Sequence, residues 1–131
     1  MTTEGEKFTE AASIFEATGM ESLESRLGAF SAKNHFFQCL LCYLAAGDNV
    51  QVRNKIDLFK NKDHSFATSR ECTFVEKILV TLDSYDAEGF AQECQDFDHI
   101  TPLDPWKVRV LGKAKSLIAG ADVGEGEVDL T

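Results

Sequence analysis

Residues 97–106, FDHITPLDPW, separate two predicted helices in this 131-residue chain. Pro102 cannot continue a helix, because it has no backbone N–H and its ring collides with the preceding turn. Asp104 and Pro105 then have the residue types of a helix N-cap and a first helical position. One helix therefore closes near residue 100 and another opens at Asp104, and we expect Trp106 in the new helix to face the preceding helices.

The composition is that of one globular domain, with 44% hydrophobic residues. The net charge of −9 would repel nucleic acid and anionic lipid, and it suits a basic protein partner. No apolar run reaches the roughly 18 residues that a membrane span needs, and the polar start MTTEGEKFTE is unlike a secretory signal. These features predict a cytoplasmic protein whose cysteines are reduced thiols.

Apolar periodicity predicts about six helices. Phe8 opens a stripe with i, i+3, i+4, i+7 spacing, which we expect to end at Gly19. Residues 31–46 are apolar on almost every side, which is typical of a helix sandwiched between neighbours. Asp48 and Gln51 have the spacing of a capping pair for the helix that follows.

The second half of the chain continues the helical pattern. After a polar connector at 60–67, Thr68 and Glu71 form the pattern of a capping box. A turn at 83–89 separates that helix from the next, and the last helix is predicted over 104–119.

Helix starts near residues 31, 69 and 104 lie 38 and 35 residues apart, which is the period of stacked helical hairpins. No alternation of apolar and polar residues indicates a strand. We therefore predict an all-α, tetratricopeptide-like α-solenoid of antiparallel hairpins over residues 1–119. Residues 120–131 contain four acids and no base, and they are predicted to form a flexible acidic tail.

Cys39 and Cys42 have the spacing of a redox or metal-binding pair. Both lie in an apolar helix without a second close Cys/His pair, so packing in the core is the favoured interpretation. A thiol oxidoreductase or metal protein stays open as an alternative. The sequence has no nucleophile elbow, P-loop or dinucleotide fingerprint, so we predict no enzymatic activity, no cofactor, no metal and no small-molecule substrate.

Acidic residues gather at two predicted turns. Asp83, Asp86 and Glu88 share one turn, and Asp48 lies at another. Solvation is the ordinary explanation for such acids, and a negative edge that meets a basic partner is the functional one. Leu130 lies among acids near the chain end, where it is either a docking anchor or merely the place where the chain stops.

Four blocks of this sequence resemble the soluble NSF attachment protein family, of the alpha/gamma type. They are SAKNHFFQCLLC (31–42), FATSREC (66–72), FDHITPLDPW (97–106) and the acidic end with Asp129-Leu130. The resemblance covers about residues 10–119 plus the tail and corresponds to the C-terminal half of a family member. It implies a tetratricopeptide-like solenoid that ends in a compact C-terminal helical bundle, and an adaptor without chemistry of its own.

The resemblance also implies partners. Family members coat the four-helix bundle of membrane-fusion SNARE proteins of the syntaxin type. They recruit an NSF-type AAA+ ATPase, whose N-terminal domains grip the acidic C-terminal edge of the adaptor and which then disassembles the bundle. These implications predict a role in vesicle fusion and intracellular protein transport, peripheral on membranes through SNAREs, with no nucleic acid as partner.

Individual residues match the family pattern unevenly. Lys33 matches a lysine on the SNARE-facing surface, and Leu130 matches a leucine linked to stimulation of the ATPase. Asp83 matches one acid of the ATPase-facing turn, whereas Val80 and Ser84 stand where the family has acids.

Three further acids complete the predicted ATPase-binding edge. Asp86 and Glu88 lie close to the departures from the family pattern, and Asp48 matches another acid only if one residue is inserted. A generic helical-repeat scaffold outside the fusion machinery is the alternative to this adaptor function.

Overall fold

The computed structural model describes residues 4–25 and 29–123 of the chain. These residues form seven helices: α1 Glu4–Glu24, α2 Ala29–Ala46, α3 Asn49–Lys62, α4 His64–Ala67, α5 Arg70–Asp83, α6 Ala87–Ile100 and α7 Pro105–Val123. Within the described ranges there is no strand, so the predicted all-α fold of helical hairpins is confirmed. The count exceeds the predicted six because α4, a single turn, lies in the supposed connector at 60–67.

Helix α2 is the centre of the fold. Nearly every side chain from Phe36 to Ala45 is buried, because α1, α3, α4, α5 and α7 all pack against this helix. The Phe36 ring stacks on Phe59 of α3 with centroids 4.0 Å apart, and Phe66 of α4 meets both rings edge-on at 6.0 Å. The predicted sandwiched helix is confirmed.

The hairpins α2–α3 and α5–α6 repeat each other with an offset of 38 residues. The predicted spacing of helix starts is therefore also a spacing of buried positions. The buried counterparts are Phe36 and Phe74, Leu40 and Ile78, Leu44 and Leu82, Val52 and Phe90, and Phe59 and Phe97.

Helix α1 continues past Gly19, where the sequence predicted its end. A Cβ at Gly19 would lie 2.6 Å from Cε1 of Phe36, so the glycine lets α1 approach α2 closely. One turn earlier, Glu16 Oε1 lies 2.9 Å from Lys55 Nζ of α3. Gly19 is thus a packing residue between helices, a role that local sequence does not separate from that of a terminating glycine.

The N-cap of α5 is Ser69, not Thr68 as predicted. Ser69 Oγ accepts a hydrogen bond from Cys72 N at 3.1 Å. Thr68 is instead the C-cap of α4, with its N–H donated to His64 O at 3.2 Å. The unpredicted turn of α4 therefore displaces the start of α5 by one residue.

The stretch 97–106 opens the closing helix as predicted. Asp104 Oδ1 accepts a hydrogen bond from Lys107 N at 2.9 Å, and hydrogen bonds from Lys107 hold the pKa of Asp104 below its usual range. Trp106 meets Phe15 of α1 edge-on, with ring centroids 5.6 Å apart. Helix α7 extends to Val123, beyond the predicted end at residue 119.

Candidate functional site

The turn between α2 and α3 is a Schellman motif closed by an aspartate. Gly47 has a φ of 81° and donates its N–H to Leu44 O, while Asp48 donates its N–H to Tyr43 O, both at 3.0 Å. The Asp48 side chain then accepts a hydrogen bond from Gln51 N at 3.2 Å. Asp48 is therefore the N-cap of α3, as its spacing to Gln51 predicted.

The turn between α5 and α6 repeats this arrangement 38 residues later. Tyr85, with a φ of 54°, donates its N–H to Leu82 O at 3.2 Å, and Asp86 donates its N–H to Thr81 O at 2.8 Å. Asp86 Oδ1 accepts a hydrogen bond from Gly89 N at 2.9 Å. A Cβ at Gly89 would lie 2.3 Å from Asp86 Oδ2, so the cap requires glycine there.

Ion pairs between α3 and α5 show which helix ends meet. Lys60 Nζ lies 2.7 Å from Glu76 Oε2. Seven residues earlier in α3 and seven later in α5, Arg53 pairs with Asp83. This antiparallel register places the start of α3 beside the end of α5. The structure thus brings together at one edge, here called the acidic edge, the predicted residues Asp48, Asp83, Asp86 and Glu88.

The closing helix reaches the same edge. A Cβ at Gly47 would lie 3.4 Å from Leu117 Cδ1, so the last part of α7 lies against the α2–α3 turn. The predicted stimulatory residue, Leu130, lies outside the described residues. Residues 124–131 follow α7 in the sequence.

Two residues of the acidic edge were missed by sequence reasoning. Arg53 pairs with Asp83, and their side chains are 46% and 56% exposed, so the edge contains a base as well as acids. Tyr85 is 75% exposed between Asp83 and Asp86. The Arg53 contact joins residues far apart in sequence and has no local signal, whereas the 38-residue offset from Gly47 was a signal for Tyr85.

Lys33, the predicted SNARE-facing residue, lies apart from the acidic edge. It belongs to the first turns of α2, about 20 Å along the helix from Gly47 at 1.5 Å per residue. Its Nζ lies 3.6 Å from Glu71 Oε1 of α5, and the two side chains are 25% and 15% exposed. Any surface that includes Lys33 is therefore separate from the acidic edge.

The cysteines are placed as core residues. Cys39 and Cys42 are fully buried, and burial raises the pKa of both thiols, that of Cys42 to about 12. The thiols therefore stay protonated at neutral pH, which makes them poor nucleophiles and metal ligands. In the part of the chain that the structure describes, no group of three or more His, Cys, Asp or Glu residues is placed to hold a metal ion. Both findings disfavour the redox and metal alternatives.

Comparison with known proteins agrees with these features. The family model described as "Soluble NSF attachment protein, SNAP" matches residues 1–119. The chain is 32% identical over 113 residues to an alpha-soluble NSF attachment protein of Dictyostelium discoideum, covering 86% of this chain and 39% of the relative. It is 34% identical over 128 residues to the vesicular-fusion protein SEC17 of Komagataella phaffii, covering 98% and 43%.

A beta-soluble NSF attachment protein of Bos taurus is 28% identical over 123 residues, with coverage of 94% of this chain and 41% of the relative. The chain thus spans about two-fifths of the length of these relatives. Among the described helices, none is long and apolar enough to cross a membrane. Since the family model matches nearly the whole chain, the protein belongs to the soluble NSF attachment protein family.

Proposed function

We propose that this chain is a non-catalytic adaptor that docks an NSF-type AAA+ ATPase through its acidic edge during SNARE disassembly. The observation that carries the proposal is the convergence of acids from two turns, 38 residues apart in sequence, at one edge of the fold. The family name specifies attachment to NSF. A negative edge of this kind attracts a basic protein surface and accelerates the encounter.

The acids of this edge are held in place before any partner arrives. Asp48 and Asp86 are helix N-caps, and Asp83 is fixed by its ion pair with Arg53. A preorganised edge loses less conformational freedom on binding than mobile side chains would. The caps also mean that a variant must remove charge without removing the hydrogen bond that starts the helix.

The test neutralises three acids with near-isosteric amides: Asp83→Asn, Asp86→Asn and Glu88→Gln. Asparagine is as good an N-cap as aspartate, so α6 should keep its start. Binding to the N-terminal domains of the ATPase is measured by titration over a range of salt concentrations, with and without a SNARE bundle. We expect roughly tenfold weaker binding at low salt, and a smaller difference at high salt because ions screen the contacts.

A matched control removes the same charge elsewhere. Glu10, Glu21 and Glu24 are exposed on α1, and changing all three to Gln should leave binding nearly unchanged. An equal loss in both triple variants would mean that net charge alone governs binding. Undiminished binding by the edge variant would contradict the proposed site.

For the SNARE contact, we propose Lys33, supported by its match to the family pattern and by its place away from the acidic edge. The Lys33→Gln variant should bind a SNARE bundle more weakly, whereas Lys62→Gln, at an exposed lysine at the end of α3, should not. Because Lys33 pairs with Glu71, circular dichroism must first show that the variant keeps its helices. Equal binding by both variants would remove Lys33 from the site.

For ATPase stimulation, we propose Leu130. Helix α7 reaches the acidic edge at Leu117, so the residues after it leave from the side where the ATPase would dock. The Leu130→Ala variant should bind the ATPase with nearly unchanged affinity and stimulate its hydrolysis of ATP less. Full stimulation by this variant would show that the tail has no such role.

A further inference from the structure

An open groove of about 320 Å³ runs along the outer side of α5 and α6. Its floor is formed by Phe74 and Phe97, whose rings lie 4.7 Å apart. The rim on α5 is basic and the rim on α6 is acidic. The charged lining residues are Arg70, Lys77, Glu93 and Asp96.

In the hairpin α2–α3 the corresponding groove is filled by α1. Gly19 of α1 lies against His35 and Phe36, and Glu16 of α1 pairs with Lys55. The counterparts of these contact residues, 38 positions later, all line the open groove. They are Thr73 for His35, Phe74 for Phe36, and Glu93 for Lys55.

Burial along the two hairpins differs in the same place. The α2 positions Ala32, Cys39 and Cys42 are fully buried in a fold where α1 packs against α2. Their counterparts in α5 are exposed, and Val80 among them is 66% exposed. These counterparts are Arg70, Lys77 and Val80. The second hairpin therefore presents the surface that receives a helix in the first hairpin.

We propose that the α5–α6 groove binds an amphipathic helix of a partner protein in the way that α2–α3 binds α1. The helix would run antiparallel to α5, with a glycine or alanine against Phe74, since α1 has Gly19 against Phe36. Apolar side chains of the helix would cover Val80 and the floor of the groove. This site is separate from the proposed ATPase contact and does not depend on it.

The charge of the groove selects the partner helix. Lys55, which pairs with Glu16 of α1, is replaced in the repeat by Glu93. The bound helix should therefore have a lysine or arginine three residues before its small residue, where α1 has Glu16. Helix α1 of a second copy would place Glu16 against Glu93, so like-charge repulsion disfavours self-association through this groove.

The test uses α1 itself as the probe. A peptide of residues 4–24 is kept helical by a lactam bridge between positions 17 and 21, which lie on the exposed side of α1. It is made with the native sequence and with Glu16→Lys. Each peptide is titrated into the full chain and into its Glu93→Lys variant, and backbone amide shifts are followed by NMR. The matched pairs isolate the contact between positions 16 and 93.

We expect the Glu16→Lys peptide to shift the amides of Thr73 and Phe74 and to bind the native chain about fivefold more tightly than the native peptide. In the Glu93→Lys chain the preference should reverse. The proposal would be overturned by equal affinities in all four pairs or by no shift at about 1 mM peptide.

Two further outcomes would also overturn it. Shifts at Phe36 and Lys55 would show that the peptide displaces α1 instead of entering the groove. Concentration-dependent shifts at Thr73 and Phe74 in the chain alone would make a second copy of the chain the occupant.

Discussion

The hairpins α2–α3 and α5–α6 share a pattern of buried residues and differ in what surrounds them. Phe36 and Phe74 occupy the same repeat position and are both buried. Cys42 and Val80 also share a repeat position, yet Cys42 is fully buried and Val80 is 66% exposed. The repeat therefore determines which side of each hairpin faces inward, and the neighbouring helices determine whether the other side is covered.

The turns of the two hairpins show a second difference. Both are Schellman motifs followed by an aspartate cap, with Gly47 in one and Tyr85 in the other at the position of positive φ. Glycine adopts this conformation without steric cost, whereas a side chain at this position is strained. The same backbone geometry is therefore built in one hairpin from a residue suited to it and in the other from one that is not.

The largest expected effect compares the two phenylalanines. Phe36→Ala should lower the free energy of unfolding by about 3–5 kcal/mol, because it leaves a cavity between the Phe59 and Phe66 rings. Phe74→Ala should cost at least about 1 kcal/mol less, since Phe74 lines an open groove that water can enter. Urea unfolding followed by circular dichroism measures both.

If Phe36→Ala is too unstable to measure, Phe36→Leu and Phe74→Leu give a milder pair with the same expected order. Equal losses in the two hairpins would show that the groove beside Phe74 is closed in solution. That result would also weaken the case for a helix bound there.

The next effect tests how closely α1 covers the first hairpin. Gly19→Ala should destabilise the chain by about 1–3 kcal/mol, because the new Cβ would lie 2.6 Å from a Phe36 ring that is stacked on Phe59. Gly112→Ala is the control, since a Cβ there meets nothing within 4 Å. Alanine at that position in α7 should stabilise the chain by up to about 1 kcal/mol.

Thermal and urea unfolding of these two variants should therefore move in opposite directions. A stabilising Gly19→Ala would mean that the ring of Phe36 shifts freely and that α1 is less tightly packed than the distance implies.

Local features of this fold could be predicted from the sequence. Asp48 and Asp104 act within three residues of their own positions, so the cap and the helix start can be recognised in a short segment. The period of the helix starts also gave the offset between hairpins. The one-residue error at Thr68 arose because α4 is too short for a periodic signal.

Features that depend on how helices meet could not be predicted in this way. Gly19 has the sequence signature of a helix end, and only the approach of Phe36 shows its other role. The pair Arg53–Asp83 joins residues 30 positions apart, and its formation depends on the antiparallel register of α3 and α5. The sequence therefore suggested which acids matter, and tertiary packing brings them to one edge.

A smaller effect is expected at the first of the two turns. Gly47→Ala should destabilise the chain by about 1 kcal/mol, because alanine must adopt a φ of 81°. The new Cβ would lie 3.4 Å from Leu117 Cδ1, an ordinary contact, so backbone strain is the main cost. A loss much larger than this, measured by urea unfolding, would indicate that Leu117 cannot adjust.

The smallest effect has the opposite sign and lies in the second turn. Tyr85→Gly should stabilise the chain by about 0.5 kcal/mol, because relief of strain at a φ of 54° exceeds the added entropy of glycine in the unfolded chain. Tyr85 is 75% exposed, so little buried contact is lost with its ring. If the variant is instead less stable in urea, the tyrosine ring must contribute more to the folded state than its exposure suggests, and the two turns would be equivalent in energy despite their different residues.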